Sequence, residues 1–239
     1  MKDFTPSIAP ISVLAFLGSG FVLVICVLTA LYAALRRSKI LLAIAGTGGI
    51  VVAAAYLGIL LGFSLFSREV DLPIGAKKYF CEIDCHISYS VARVWMPKSV
   101  GGETEQITSK GQFVVVELRT WFNPSTISPG RGDGPLTPND RVAVLRDAQG
   151  RVFEVSPRAN EVLAAQEIRS TPLTTALRPG ESYISYLVFE VPKDTKEPKL
   201  WVRSGDEVNA LLWGDERSPM HQKVLFLLSA AADAARSSL

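Results

Sequence analysis

The feature that most constrains this chain is a pair of long, charge-free apolar runs near its N-terminus, residues 11–35 and 40–66, parted only by Arg36, Arg37, Ser38 and Lys39. At 1.5 Å per residue they make helices of roughly 37 and 40 Å, against a hydrocarbon core of about 30 Å, so both are long enough to cross a bilayer with some tilt. They hold most of the excess that raises hydrophobic content to 48% and mean hydropathy to +0.24 over 239 residues. A cleaved leader would carry a basic head, a shorter apolar core and a small-residue cleavage site. Residues 1–10 instead carry Lys2 beside Asp3, and no such site precedes Arg36. A buried soluble helix does not account for the second run, since 27 residues without a charge are characteristic of a span.

Orientation follows from the Lys/Arg bias of short loops. Three basic residues in the four-residue connection, against Lys2 alone in the N-terminal tail, place the connection in the cytoplasm. A two-span hairpin then puts the N-terminus and everything after residue 66 outside. Arg68, Lys77 and Lys78 oppose this assignment, being close behind the second run. Beyond residue 66 there remain 21 basic and 22 acidic residues, a net charge of −1 with no basic stripe, and this argues against nucleic acid as a partner. The expected partners are the lipid bilayer and another protein of the cell envelope. Ala54, Gly58 and Gly62 recur at four-residue spacing on one face of the second run, which suits packing against the first helix or against a second copy.

The remainder reads as a linker at 67–78, containing Pro73 and Gly75, a β domain at 79–229 and a flexible tail at 230–239. The run FVVVELRTWF at 113–122 is rich in β-branched and aromatic residues and is the clearest strand. Segments 142–146 and 151–155 flank Asp147-Ala148-Gln149-Gly150 as a hairpin; 183–191 follows Pro179-Gly180, and 199–203 follows Pro198. A short helix is expected at 160–168. The end of the chain from Gln222 reads either as a helix to 235 or as a strand at 223–228 with an Ala-rich tail. The Pro/Gly-rich loop at 128–140 contains Arg131-Gly132-Asp133, a tripeptide that recurs by chance.

A long strand opening at Gly111-Gln112-Phe113, the Asp147–Gly150 turn, and Leu177-Arg178-Pro179-Gly180-Glu181 leading into a final long strand together resemble the telokin-like group of exported, membrane-anchored immunoglobulin-like domains of bacteria. The resemblance spans roughly 111–202. It implies an Ig-like β-sandwich behind a membrane anchor, and no single chemistry, since fold alone supplies none. The expected architecture is therefore a two-helix transmembrane hairpin followed by an all-β, Ig-like sandwich with minor helix.

Reactive side chains are concentrated in Cys81-Glu82-Ile83-Asp84-Cys85-His86. The third cysteine, Cys26, lies inside the first apolar run and reads as a helix-packing residue. In an oxidising compartment Cys81 and Cys85 form a disulfide by default, closing a short loop. The alternative is a metal site for copper or zinc, in which Cys81, Cys85 and His86 meet His221 and its neighbour Met220, the two histidines being all that the chain has. The C-x3-C spacing resembles the copper motif of cytochrome c oxidase subunit II. In that motif a His stands four residues after the second Cys, where this chain has Tyr89, and the motif falls late in the β domain rather than first, so the resemblance extends only to ligand types. A third possibility, thiol–disulfide exchange, requires C-x-x-C at a helix N-terminus, whereas here the spacing is longer and the following HISYSVARVW looks extended. The segment 212–221, with Trp213 and His221, reads as a surface loop whose Trp caps the β core. A Ser/His/Asp hydrolase lacks both a G-x-S-x-G elbow and a histidine with a nucleophile partner. These readings point to a non-enzymatic, membrane-anchored interaction or accessory module of the cell envelope, with a metal-binding or electron-transfer module as the alternative.

Overall fold

In a computed structural model, described at residues 3–6, 8–81, 85–102, 105–166 and 170–228, the chain forms two long apolar helices followed by a mostly β domain with several sheets. It divides into two compact units: one is Pro6–Arg68 with Glu207–Gln222, and the other is residues 3–5, Glu69–Asp206 and the chain from Lys223.

In the first unit α1 (Ala9–Leu35) and α2 (Lys39–Leu65) make a hairpin, and both are long and apolar enough to cross a membrane. Pro10 sits in the first turn of α1, where its missing N–H costs nothing, so the helix begins two residues before the charge-free run. The turn is closed by Arg37 at φ 53°. Gly49 of α2 faces α1, where an added Cβ would meet Cys26 Cβ at 3.5 Å and Leu23 Cδ2 at 4.0 Å. Gly58 and Gly62 have open space beside them, so the small-residue face is not the one that receives α1. Large apolar side chains stand outward all round, among them Leu14, Phe21, Leu28, Ile50 and Val51. A water-soluble protein would bury such a surface.

The second unit contains β1 (Val70–Leu72), β2 (Lys78–Tyr79), β3 (Ile87–Trp95), β4 (Ser99–Gly101), β5 (Gln106–Thr108), β6 (Gln112–Phe122), β7 (Arg141–Arg146), β8 (Val152–Glu154), α3 (Pro157–Ala164), β9 (Ser182–Val191), β10 (Lys199–Ser204) and β11 (Val224–Leu227). One sheet has the order β2-β3-β6-β9 and another β1-β11-β10-β7-β8, and β4 and β5 form a small pair of their own. Neighbours are antiparallel except β1, which runs parallel to β11 with Val70 opposite Val224. Val70–Leu72 lies in the stretch expected to be a linker, so the chain enters the sheet almost directly after α2. The end of the chain forms the strand β11 rather than a helix, and the expected tail at 230–239 lies outside the described residues.

The two larger sheets share one core. Val91, Val114, Val116 and Leu118 from the first meet Leu145, Leu200, Val202 and Phe226 from the second. The opposite face of β6 is buried as well, with Phe113 and Val115 packed against Ala159 and Leu163 of α3. A strand covered on both sides reads as an unbroken apolar run, which is why 113–118 shows so little alternation. The helix itself starts earlier than expected, because Ser156 accepts the Ala159 N–H as N-cap and Pro157 fills the next position. Ile168, the expected end of that helix, lies outside the described residues.

The Asp147–Gly150 hairpin forms as expected between β7 and β8. Asp147 Oδ1 accepts the N–H groups of Gln149 (3.0 Å) and Arg151 (2.9 Å), Oδ2 takes Arg151 Nε at 2.6 Å, and Gly150 supplies the left-handed position at φ 78°. Burial alone would raise the Asp147 carboxyl, but the Arg151 guanidinium and these N–H donors outweigh it and hold it below the usual carboxylate range.

Candidate functional site

Cys81 and Cys85 are joined in a disulfide, with Cα atoms 4.3 Å apart; Glu82, Ile83 and Asp84 between them lie outside the described residues. With both sulfurs in the bridge, neither is a thiolate, the form that binds a metal or attacks another disulfide. Among the described residues no group of three or more His, Cys, Asp and Glu side chains is gathered that could hold a metal ion.

His86 follows the bridge and is buried, its ring stacked on Phe122 at 5.2 Å between centroids. Its position is set by the turn after β6. Asn123 caps a single 3-10 turn, Pro124–Thr126, accepting the Ser125 N–H at 3.0 Å, while its own N–H donates to His86 O at 2.9 Å and its amide to Tyr79 Oη at 3.1 Å. Thr126 Oγ1 donates its single proton to Asn123 O (2.8 Å), so toward His86 Nδ1, 2.7 Å away, it accepts. The ring therefore carries a proton on Nδ1, and the network fixes its orientation. Cys81, Cys85 and His86 belong to the β unit; Met220 and His221 belong to the helical unit. There Met220 adopts φ 63° and is exposed, and His221 Nδ1 lies 2.6 Å from Gln222 O.

A second polar cluster in the β unit was not signalled by any motif. Lys78 is fully buried, and its Nζ reaches from β2 across to the opposite sheet, donating to Val202 O at 2.6 Å and Val224 O at 3.1 Å. A buried ammonium is costly unless its protons are used, and here backbone carbonyls of β10 and β11 receive them. Phe80 lies between two cations, Lys78 Nζ 5.1 Å and Arg141 Cζ 4.3 Å from its ring centre, and meets Tyr89 edge-on. Burial pushes the Tyr89 phenol well above its ordinary value, with Arg141 pulling the other way. This cluster ties the sheets together.

The N-terminal residues join the same unit. Phe4 donates its N–H to Lys77 O (2.8 Å), accepts the Tyr79 N–H (2.9 Å) and packs its ring on the core, while Asp3 Oδ1 accepts the Lys77 N–H (2.9 Å). Lys77 itself stands 3.7 Å over the Trp121 ring. Both ends of the helical hairpin are thus continuous with the β unit. In the loop after β6, Arg131 of the Arg-Gly-Asp string donates to Gly134 O and lies over Phe122, a structural use of that side chain.

The segment 212–221 departs from expectation. Trp213 does not cap the β core; it packs on α2, its ring 5.1 Å from Tyr56 and 6.4 Å from Phe63.

No protein-family model matches the chain, and no curated protein does. Two solved structures are similar in part. One is a conserved hypothetical protein from Bacillus anthracis, 19% identical with a TM-score of 0.39 over 51% of this chain and 84% of that one. The other is the yjhA protein from Bacillus subtilis, 16% identical with a TM-score of 0.38 over 66% of this chain and 98% of that one. At this level of similarity neither carries an argument about fold or function.

Proposed function

We propose that the chain is a two-span membrane protein whose hairpin holds an extracytoplasmic, Ig-like β-sandwich as an interaction or accessory module of the cell envelope. The observation that carries this reading is the pairing of Phe4 with Lys77 and Tyr79, because it gives both ends of an apolar hairpin to one folded domain. An even number of spans requires both ends on one side. The basic turn assigns that side to the exterior, and a disulfide in the β unit suits an oxidising compartment.

The Ig-like assignment is supported by connectivity. The orders β3-β6-β9 and β11-β10-β7 correspond to strands A-B-E and G-F-C of that fold, with β8 in the place of C′. It is in line with the telokin-like resemblance of residues 111–202. Partners of this module are another envelope protein and, through the face of Ala54, Gly58 and Gly62, where the two glycines have open space and Ala54 is exposed, a second copy of the chain.

The reading is tested by fractionating cells that express the full chain. It should stay in the membrane through an alkaline carbonate wash, and protease added outside the intact cytoplasmic membrane should digest the β domain. Release by carbonate, or protection from external protease, would defeat it.

A further inference from the structure

Residues Glu207–Gln222 leave the β unit after Asp206 and group instead with the two apolar helices. They are fastened to α2 at two heights and to Ser67 just beyond it. Tyr56 Oη donates to Leu211 O at 2.6 Å, the Trp213 ring lies between Tyr56 and Phe63, and Ser67 Oγ accepts the Gln222 N–H at 2.8 Å. Gly214, at φ 73°, meets α1's leading residue, since a Cβ there would lie 2.6 Å from Ile8 Cδ1.

Measured from Lys39 at 1.5 Å per residue, Tyr56 stands about 25 Å and Phe63 about 36 Å along the helix. Those heights bracket the far edge of a hydrocarbon layer about 30 Å thick that starts at the basic turn. Trp and Tyr concentrate at that level; here the Tyr56 hydroxyl is taken up by Leu211 O and the Trp213 Nε1 is buried, so the rings serve as apolar surface. Other large apolar side chains of the segment are uncovered by the chain: Val208, Leu211 and Met220 are 47%, 45% and 69% exposed. Much of its polar capacity is used within it: Arg217 pairs with Glu207, Ser218 Oγ donates to Leu212 O, and Asp215 Oδ1 accepts the Arg217 N–H.

From these observations we propose that Glu207–Gln222 is an interfacial membrane segment. It lies in the outer headgroup layer with Trp213 as its anchor and Val208, Leu211 and Met220 turned to the acyl chains. The proposal rests on the two-span reading. Glu207, Asp215 and Glu216 outnumber Arg217, so its attraction to lipid is apolar and does not need anionic headgroups.

The test uses the full chain reconstituted in phosphatidylcholine vesicles, with tryptophan emission quenched by lipids brominated near the headgroup or near the chain ends. Headgroup-proximal bromines should quench more strongly, and Trp213→Phe should lose most of that quenching. In a second arm, a nitroxide at Leu211→Cys in a Cys26→Ala background should be more accessible to oxygen than to an aqueous nickel chelate. A chain that resists carbonate but whose quenching is unchanged by Trp213→Phe, or whose nitroxide favours the nickel chelate, overturns the interfacial segment and leaves the anchor standing. Release by carbonate removes both.

Discussion

Phe4 and Lys77 are 73 positions apart in sequence yet share a 2.8 Å backbone hydrogen bond, with the whole apolar hairpin between them. This bond makes the residues before α1 part of the domain that follows α2. Phe4→Pro removes the donor without removing a charge. Chemical unfolding of the full chain in detergent should show a loss of about 1–3 kcal/mol, the range for an orphaned carbonyl and a displaced apolar ring. An unchanged midpoint would mean that the N-terminal residues are not part of the folded domain.

Lys78 offers a second measurement in the same assay. Lys78→Ala should cost about 3–4 kcal/mol, because it removes the buried stem and leaves the Val202 and Val224 carbonyls without this donor. Lys78→Met keeps the stem and should cost less, since an apolar isostere escapes the desolvation of the ammonium. Equal losses in the two variants would show that the hydrogen bonds, not the packing of the stem, are what Lys78 contributes.

The Asp147–Arg151 pair gives the domain a pH-dependent increment of stability. The folded carboxyl is held below its unfolded value, so the contribution is fully present above the ordinary carboxylate range and is lost as pH falls through the folded value. Unfolding midpoints of wild type and Asp147→Asn should therefore differ at neutral pH and converge only in acid, as pH falls through the lowered folded value. A gap that persists into strong acid would contradict the assignment.

The bridged cysteines separate the structural reading from the metal one. Cys81 and Cys85 should resist alkylation until reduced, and replacing both by Ser should cost about 2 kcal/mol at most, because the closed loop is so short. Full chain purified without chelators and carrying stoichiometric copper or zinc, with the metal lost in His221→Ala, would instead establish the convergent site of Cys81, Cys85, His86, Met220 and His221.

How much of this was legible in the sequence depended on whether a signal was local. The apolar runs, the 113–122 strand and the Asp147–Gly150 hairpin were readable because length, β-branching and turn chemistry act within a few residues. Cys81 and Cys85 showed as a pair for the same reason. Lys78 did not, since its partners, Val202 and Val224, lie more than a hundred residues away and are backbone atoms that no side-chain pattern encodes. Phe4 was hidden likewise, and β1 was mistaken for linker because three residues hydrogen-bonded to the chain's far end carry no periodicity of their own. Trp213 lies in a loop remote in sequence from α2, and its ring packs there against Tyr56 and Phe63. Reading it as a cap on the β core assigned the ring to the nearer domain in sequence rather than to α2.

The central claim, a hairpin with its basic turn inside and its β domain outside, is tested most directly by two single cysteines in a Cys26→Ala background. Ser38→Cys lies in the turn between the helices, and Gln149→Cys is exposed at the tip of the β7–β8 hairpin. Intact cells are treated with a membrane-impermeant maleimide, and a second portion is permeabilised first. The account predicts that Gln149→Cys is labelled in intact cells and Ser38→Cys only after permeabilisation. Labelling of Ser38→Cys in intact cells, with Gln149→Cys protected, would contradict it.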